Sequence, residues 1–313
     1  MSRFLVTGGA GFIGSHIVET LVGSGEQVRV LDNFTSGKEE NLKSVIDKIE
    51  LVRADIRSKE DCLKAVKGVD FVLHQAALRS VPKSMEDPFS YNDVNINGTL
   101  NMLQASAENQ VERFVFASSS SVYGEVEDFP EKENFVPSPI SPYALSKLAG
   151  EYYCKIFTRH YGLKTVCLRY FNVFGERQSL DDEYAVVIPK FITCLLKNEP
   201  PPIYGTGKQS RDFTYVGNVV KANILATHMP QAVGGVFNIA SGRDYTILEL
   251  VKFLNKIMHK DIMPVFLKLR PGDVFKTHAD LSRSKKYLGF KPSVDFVQGL
   301  TLTAIFFKEK GNL

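Results

Sequence analysis

Short apolar runs separated by amphipathic stretches set the rhythm of the first half of the chain. Phe4-Leu5-Val6 reads as a buried strand, and a helical pattern runs on through Leu21. Val28-Arg29-Val30-Leu31, Ile49-Glu50-Leu51-Val52, Asp70-Phe71-Val72-Leu73-His74 and Arg113-Phe114-Val115-Phe116-Ala117 repeat the strand signal. Between them, Ser58 to Val66 and Asp87 to Asn109 carry the mixed spacing of helices. Ser141 suits a helix cap and Pro142 the first helical position, after which Leu145, Leu148, Ala149, Tyr152 and Ile156 recur at helical spacing. Strands alternating with helices of these lengths predict an α/β fold with a doubly wound parallel sheet, its ligands at the carboxyl ends of the strands.

The loops at those ends are where chemistry is expected. The first strand leads into Gly8-Gly9-Ala10-Gly11-Phe12-Ile13-Gly14 and then a helix. Glycines there allow a tight turn and close approach of backbone to a pyrophosphate, and the helix N-terminus offers unpaired amides to the anion. The spacing of Gly8, Gly11 and Gly14 departs by one residue from the usual dinucleotide fingerprint, and a tight turn without a ligand would look the same. Asp32 ends the second strand about twenty residues further on, where a carboxylate accepts from adenosine ribose hydroxyls and repels a 2′-phosphate, which favours NAD over NADP. Asp32 also suits a turn leading into Asn33. Asp55-Ile56 ends the third strand, and Gln75-Ala76-Ala77 makes a small-residue turn after the fourth. His74, with no recognisable partner acid, reads as a packed histidine beneath that turn.

Four hydroxyls, Ser118-Ser119-Ser120-Ser121, end the fifth strand; most would serve any turn, and one should face a substrate. Tyr143 and Lys147 share one face of the helix that starts at Pro142. A phenol titrates near pH ~10, so a base working near neutrality needs a fall of about three units, roughly 4 kcal/mol. One ammonium about 5.5 Å away at an effective dielectric of about 20 supplies roughly 3 kcal/mol. An oxidised nicotinamide would provide the remaining positive charge. A core aromatic and a surface lysine at the same spacing would also satisfy the pattern.

Composition narrows the classes. The 313 residues are 44% hydrophobic and 23% charged, long enough for one large domain and a smaller one. A net charge of +3 suits a phosphate-bearing substrate, yet no basic run or basic-aromatic stripe points to nucleic acid. No apolar run approaches the ~20 residues of a membrane span, and Met1-Ser2-Arg3 leads straight into a strand, so a cytoplasmic protein is expected. Cys62, Cys154, Cys167 and Cys194 are scattered and read as reduced thiols, with no metal site.

Taken together, the glycine turn, Asp32, the serine cluster and the Tyr143/Lys147 pair resemble the extended short-chain dehydrogenase/reductase family, and within it the nucleotide-sugar 4-epimerases. The resemblance runs from about Phe4 to Leu300 and includes Leu168-Arg169-Tyr170-Phe171-Asn172-Val173-Phe174-Gly175, Ser210-Arg211-Asp212-Phe213 and Arg270-Pro271-Gly272-Asp273. His74 to Ser84 and Ala185-Val186-Val187-Ile188-Pro189-Lys190 look like the UDP-N-acetylglucosamine 4-epimerase branch.

The resemblance implies a Rossmann domain, residues 1–171 with about 213–241, that binds NAD, and a smaller α/β domain, 172–212 with 242–313, over the UDP-sugar. NAD would lie against Gly8, Gly11, Phe12, Ile13, Gly14, Asp32, Asn33, Asp55, Ile56, Gln75, Ala76 and Ala77, with Lys147 on the nicotinamide ribose. Ser119 would hold the sugar O4 and Tyr143 act as the base, beside Ser80, Lys83, Ser120, Ser121, Val187, Tyr204 and Thr277; Asn172, Arg211, Arg270 and Asp273 would hold the diphosphate and uridine. The reaction implied removes hydride and proton at C4, passes through a 4-keto sugar and returns hydride to the other face, interconverting UDP-GlcNAc with UDP-GalNAc and UDP-Glc with UDP-Gal. Related 4,6-dehydratases carry an Asp-Glu pair where this chain has Ser120-Ser121, leaving elimination without its acid and base. A non-catalytic NAD-binding sensor on the same fold would be expected to lose the tyrosine or lysine. The family usually forms homodimers through helices like 87–109 and 141–161. Thr277, four residues after Asp273, stands where a small side chain admits an N-acetyl group beside the sugar's C2 and a tyrosine excludes it.

Overall fold

The computed structural model describes residues 1–179, 187–268 and 274–310. Seven parallel strands form the central sheet: β1 (Arg3–Thr7), β2 (Gln27–Asp32), β3 (Ile49–Arg53), β4 (Phe71–His74), β5 (Arg113–Ser119), β6 (Thr165–Tyr170) and β7 (Val236–Ile239). Their order is β7-β6-β5-β4-β1-β2-β3. The chain builds outward from β1 to β3 and then crosses to β4 on the other side of β1. That reversal opens a crevice between the carboxyl ends of β1 and β4, the usual ligand position in such sheets.

Helices cover both faces, which is why the strands read as continuous apolar runs rather than alternating ones. Phe4, Val6, Val30, Leu73 and Val115 point into one core with Ile17, Val18 and Leu21. Their neighbours Leu5, Leu31, Val72, Phe114 and Phe116 point into the other with Cys62, Met102, Leu103, Cys154 and Phe157. Full burial of each such side chain stabilises by about 1.5–3 kcal/mol, so the sheet is a rigid platform for whatever its loops hold.

Two helices differ from the periodicity. The stretch expected as one helix over 87–109 is Pro88–Tyr91, a π-helical turn over Asn92–Asn97, then Gly98–Glu108. The widened turn accompanies a buried Asn95, whose amide donates to Leu78 O (2.9 Å) and Ser146 Oγ (3.0 Å) and accepts from Leu78 N. In helix Pro142–His160, capped by Ser141, the buried face is Ala144, Lys147, Gly150, Glu151, Cys154 and Phe157. Leu145, Tyr152 and Ile156 lie on the exposed side. Gly150 explains the choice, because a Cβ there would stand 2.3 Å from the Phe116 ring; the helix lies flat on the sheet along its small and polar residues.

A separate aromatic core joins Phe174, Phe213, Tyr245 and Phe296, with Tyr245 and Phe296 stacked at 4.2 Å, to helices Val187–Leu196, Ile247–Met258 and Phe296–Lys310. Leu288 and Phe290 pack instead on the sheet's core, so the C-terminal third is not confined to the smaller unit. The four cysteines are free.

Candidate active site

One cleft of about 1990 Å³ runs from the glycine turn, over the ends of β4 and β5, to Asn172, Arg211 and Thr277. A single drug-sized ligand fills about 300–1,000 Å³, so the cleft has room for two adjoining molecules.

The glycine turn forms one wall. Gly8 takes φ +65°, and its carbonyl accepts from Gly11 N at 3.1 Å. A Cβ on Gly14 would lie 2.1 Å from that carbonyl, and one on Gly8 would lie 2.8 Å from the Ala76 backbone. At Gly9, which the spacing left out, a Cβ would lie 2.7 Å from the Val30 side chain, so this glycine serves strand packing. Helix Phe12–Gly23 begins at Gly11 without a side-chain cap, leaving its first amides to the cleft. A turn closed to side chains and backed by free amides fits a dinucleotide pyrophosphate.

Asp32 lines the cleft and also holds its own turn: Oδ2 accepts from Ala10 N (2.9 Å) and Oδ1 from Phe34 N (2.8 Å). Burial raises its carboxyl above the ordinary range, with the two amides working against it. Asn33 and Ile56 line the cleft. Asp55 does not. Arg57 forks onto it at 2.9 and 3.1 Å and Asn33 donates to it at 2.8 Å, which brings its carboxyl down to about 2. The residue expected as a ligand is thus the partner of a neighbouring arginine. Gln75, Ala76 and Ala77 line the floor, with Gln75 tied to Asn223 at 3.0 Å. His74 is a packed histidine, bonded to Thr7 (2.7 Å) and Thr99 (3.0 Å), and burial takes it down to about 3.

Ser119, Tyr143 and Lys147 meet at the end of β5. The Ser119 side chain sits beside the Tyr143 phenol, close enough to favour its ionised form, and its Oγ lies 2.6 Å from Ser121 Oγ. Ser120 and Ser121 line the cleft beside them, while the Ser118 hydroxyl donates to Glu151 at 2.5 Å. The Lys147 ammonium is buried, donates to Ala117 O at 2.9 Å and is brought to about 8 by burial. Lys147 alone does not bring the phenol down as expected. Burial is the largest influence and holds Tyr143 above its ordinary value; the Ser119 side chain and the charge of Arg79 act the other way. Arg79, exposed at the cleft's edge, was no candidate on sequence grounds, because one cation in a loop carries no local signal.

The far wall is assembled from distant segments. Asn172, at φ +30°, accepts from Thr277 Oγ1 at 2.9 Å, and the same hydroxyl accepts from Asp212 N at 3.1 Å. Arg211 Nη1 donates to the carbonyls of Ser210 (2.9 Å) and Phe275 (3.2 Å). Beneath them, burial raises Asp212 to about 6 and Glu131 to about 8. Glu131 lines the cleft and accepts from His278 N at 3.1 Å, a residue the sequence did not single out. Lys83 lines the cleft, whereas Ser80 is a helix cap accepting from Lys83 N. Val187 starts a helix packed on the aromatic core, and Tyr204 pairs in a strand with Leu267; neither reaches the cleft. Arg270 and Asp273, with Ala185 and Val186, lie outside the described residues.

A family model described as the NAD dependent epimerase/dehydratase family matches residues 4–240. A putative UDP-glucose 4-epimerase of Methanocaldococcus jannaschii is 42% identical over 298 residues, covering 95% of each chain. A UDP-N-acetyl-alpha-D-glucosaminuronate decarboxylase of Bacillus cytotoxicus is 35% identical over 99% of each. Among solved structures, a UDP-N-acetylglucosamine 4-epimerase from Methanobrevibacter ruminantium, in complex with UDP-N-acetylmuramic acid, matches with a TM-score of 0.95 at 42% identity, covering 99% of both chains.

Proposed function

Since the chain belongs to the NAD dependent epimerase/dehydratase family, we propose that it is a UDP-hexose 4-epimerase acting on N-acetylated and plain sugars alike. The observation that carries the reading is the convergence of Ser119, Tyr143 and Lys147 on the cleft at the end of β5, with hydroxyls and no carboxylate at Ser120 and Ser121. Among the described residues the cleft's carboxyl groups are Asp32, Glu86, Asp87 and Glu131, and Glu131 is held on the Arg211 side. Elimination of water needs an acid and a base beside the sugar; proton exchange at a single hydroxyl needs only Tyr143.

NAD, when bound, supplies the hydride acceptor and donor together with a positive charge. Gly8, Gly11 and Gly14 with the amides of Phe12 and Ile13 would hold its pyrophosphate, Asp32 its ribose, and Lys147 the nicotinamide end. Tyr143, kept protonated by burial in this structure, works as a base only where positive charge gathers beside it. Lys147 retains donors beyond the one given to Ala117, and Arg79 adds its charge. The phenolate takes the 4-hydroxyl proton while Ser119 holds O4, and the same phenol returns the proton after the 4-keto sugar has turned over. Asn172 and Arg211 would grip the diphosphate, and the small unit would close over the sugar.

Thr277 supports tolerance of the N-acetyl group: it lines the cleft, and its hydroxyl is turned onto Asn172 and Asp212. The exposed stripe Leu145, Tyr152 and Ile156 supports a homodimer through this helix, which light scattering checks directly. The test of the reading is to incubate the purified protein with UDP-GlcNAc and UDP-Glc and follow C4 configuration by proton NMR. Appearance of the 4-epimers is expected; loss of water, or loss of carbon dioxide from a UDP-hexuronate in its place, would assign one of the relatives' other reactions.

A further inference from the structure

Tyr143, Lys147 and Glu151 are spaced by four along helix Pro142–His160, and each one meets the end of β5. Tyr143 stands beside the Ser119 side chain, Lys147 donates to Ala117 O at 2.9 Å, and Glu151 accepts from Ser118 Oγ at 2.5 Å. Glu151 is also forked by Arg169 of β6, Nε to Oε1 at 2.8 Å and Nη2 to Oε2 at 2.7 Å, with both side chains almost wholly buried. The Arg169 guanidinium lies over the Tyr123 ring at 4.6 Å, and Tyr123 OH donates to Asn238 Oδ1 of β7 at 2.7 Å. Tyr123 closes the turn that carries Ser119 to Ser121. One carboxylate therefore ties the helix bearing the base to the two strands and the turn bearing the hydroxyls.

Buried ion pairs are poor stabilisers, because desolvation offsets most of their attraction, and apolar replacements of similar volume are often neutral or better. What such a pair supplies is direction: two parallel bonds to a planar fork, plus a third from Ser118, leave one arrangement of helix against strand. We propose, on the 4-epimerase reading above, that Glu151 is a positioning residue which, through Ser118 and Arg169, holds Ser119 against the Tyr143 phenol. Glu151 does not line the cleft. Its loss loosens the distance between base and hydroxyl, on which proton transfer depends steeply, and leaves the far wall of the cleft unaltered.

Three variants of the holoenzyme test this. Glu151→Gln should lower kcat by about thirtyfold with KM changed less than about threefold, and Glu151→Asp, which keeps charge and fork, should recover part of the loss. Glu151→Leu with Arg169→Met and Ser118→Ala removes the carboxylate together with both groups that donate to it; it should keep a thermal midpoint at or above that of the parent and yet remain as slow as Glu151→Gln. In a Ser119→Ala background Glu151→Gln should cost no more than about threefold, since the group it aims is already gone. Native kcat in the folded triple variant, or full additivity with Ser119→Ala, overturns the proposal. Should the larger changes fail to fold, Ser118→Ala alone decides, with about a fivefold lower kcat expected and an unchanged kcat contradicting it. A wild type that epimerises nothing sinks the parent reading and this one together, whereas loss in Tyr143→Phe without loss in the Glu151 variants sinks this one alone.

Discussion

At the glycine turn the wall of the cleft is backbone: carbonyl of Gly8, amides from Gly11 onward, and no space for a Cβ at Gly8 or Gly14. Across the cleft the wall is side chain: Asn172 held by Thr277, Arg211 held by carbonyls, Glu131 beneath them, brought together from segments up to 147 residues apart. On the proposed reading the first wall recognises a shape common to all dinucleotides, and it has no room for a side chain at Gly8 or Gly14. The second is specified residue by residue, and its specificity should change without disturbing the first.

The largest effect expected is on the backbone wall. Gly14→Ala drives a methyl to 2.1 Å from Gly8 O and should lower retained NAD at least about a hundredfold, measured as cofactor released per chain on denaturation. Cofactor retention by a folded Gly14→Ala protein would show that the turn is looser than its packing implies. On the opposite wall, Thr277→Tyr should cut conversion of UDP-GlcNAc by about fiftyfold relative to UDP-Glc, with NAD content unchanged. Because Thr277 also anchors Asn172, Thr277→Val is the control: it removes the hydroxyl at constant bulk and should slow both sugars alike, by about fivefold.

The two walls also titrate in opposite senses. His74, under the glycine turn, is held at about 3 against an ordinary 6.5, so the unfolded chain binds the extra proton and this contribution weakens the fold as pH falls below 6.5. Glu131, held at about 8 against an ordinary 4.5, binds its proton in the folded state, and its contribution is lost as pH rises from 4.5 through 8. Stability should accordingly rise in His74→Gln relative to wild type at pH 5, by about 2 kcal/mol, and in Glu131→Gln relative to wild type at pH 6 by a similar amount, both read from thermal midpoints. Parallel pH profiles for wild type and variants would remove both groups from the account. The smallest effect belongs to Asp55: the half-exposed Arg57 lines the cleft but Asp55 behind it does not, so Asp55→Asn should leave NAD content within about twofold and cost under about 1 kcal/mol.

The contrast between walls also explains what could be read from sequence. Features whose partners lie within one turn or one strand-loop-helix unit were legible: the packing of Gly14 on Gly8, the Ser141 cap and the Tyr143/Lys147 spacing. His74 was legible as a packed residue from its lack of a neighbouring acid, but its partners Thr7 and Thr99 were not. Periodicity located helix Pro142–His160 but not its buried face, because Gly150 against Phe116 and the polar chain through Glu151 outweigh the apolar stripe at Leu145, Tyr152 and Ile156. Asp55 looked like a ligand from its strand-end position, and only the fork from Arg57 two residues on turns it aside. Glu131 and Arg79 gave no local sign, since each acquires its role from groups met across the fold.

If Tyr143 is the base of a 4-epimerase, Tyr143→Phe should remove the reaction and leave the rest of the protein intact. Only one hydroxyl is lost, so the variant should fold, retain NAD at the wild-type level and bind UDP-hexose, while interconversion at C4, followed by NMR, falls by at least about a hundredfold. Near-normal turnover by a folded, NAD-loaded Tyr143→Phe protein would contradict the account.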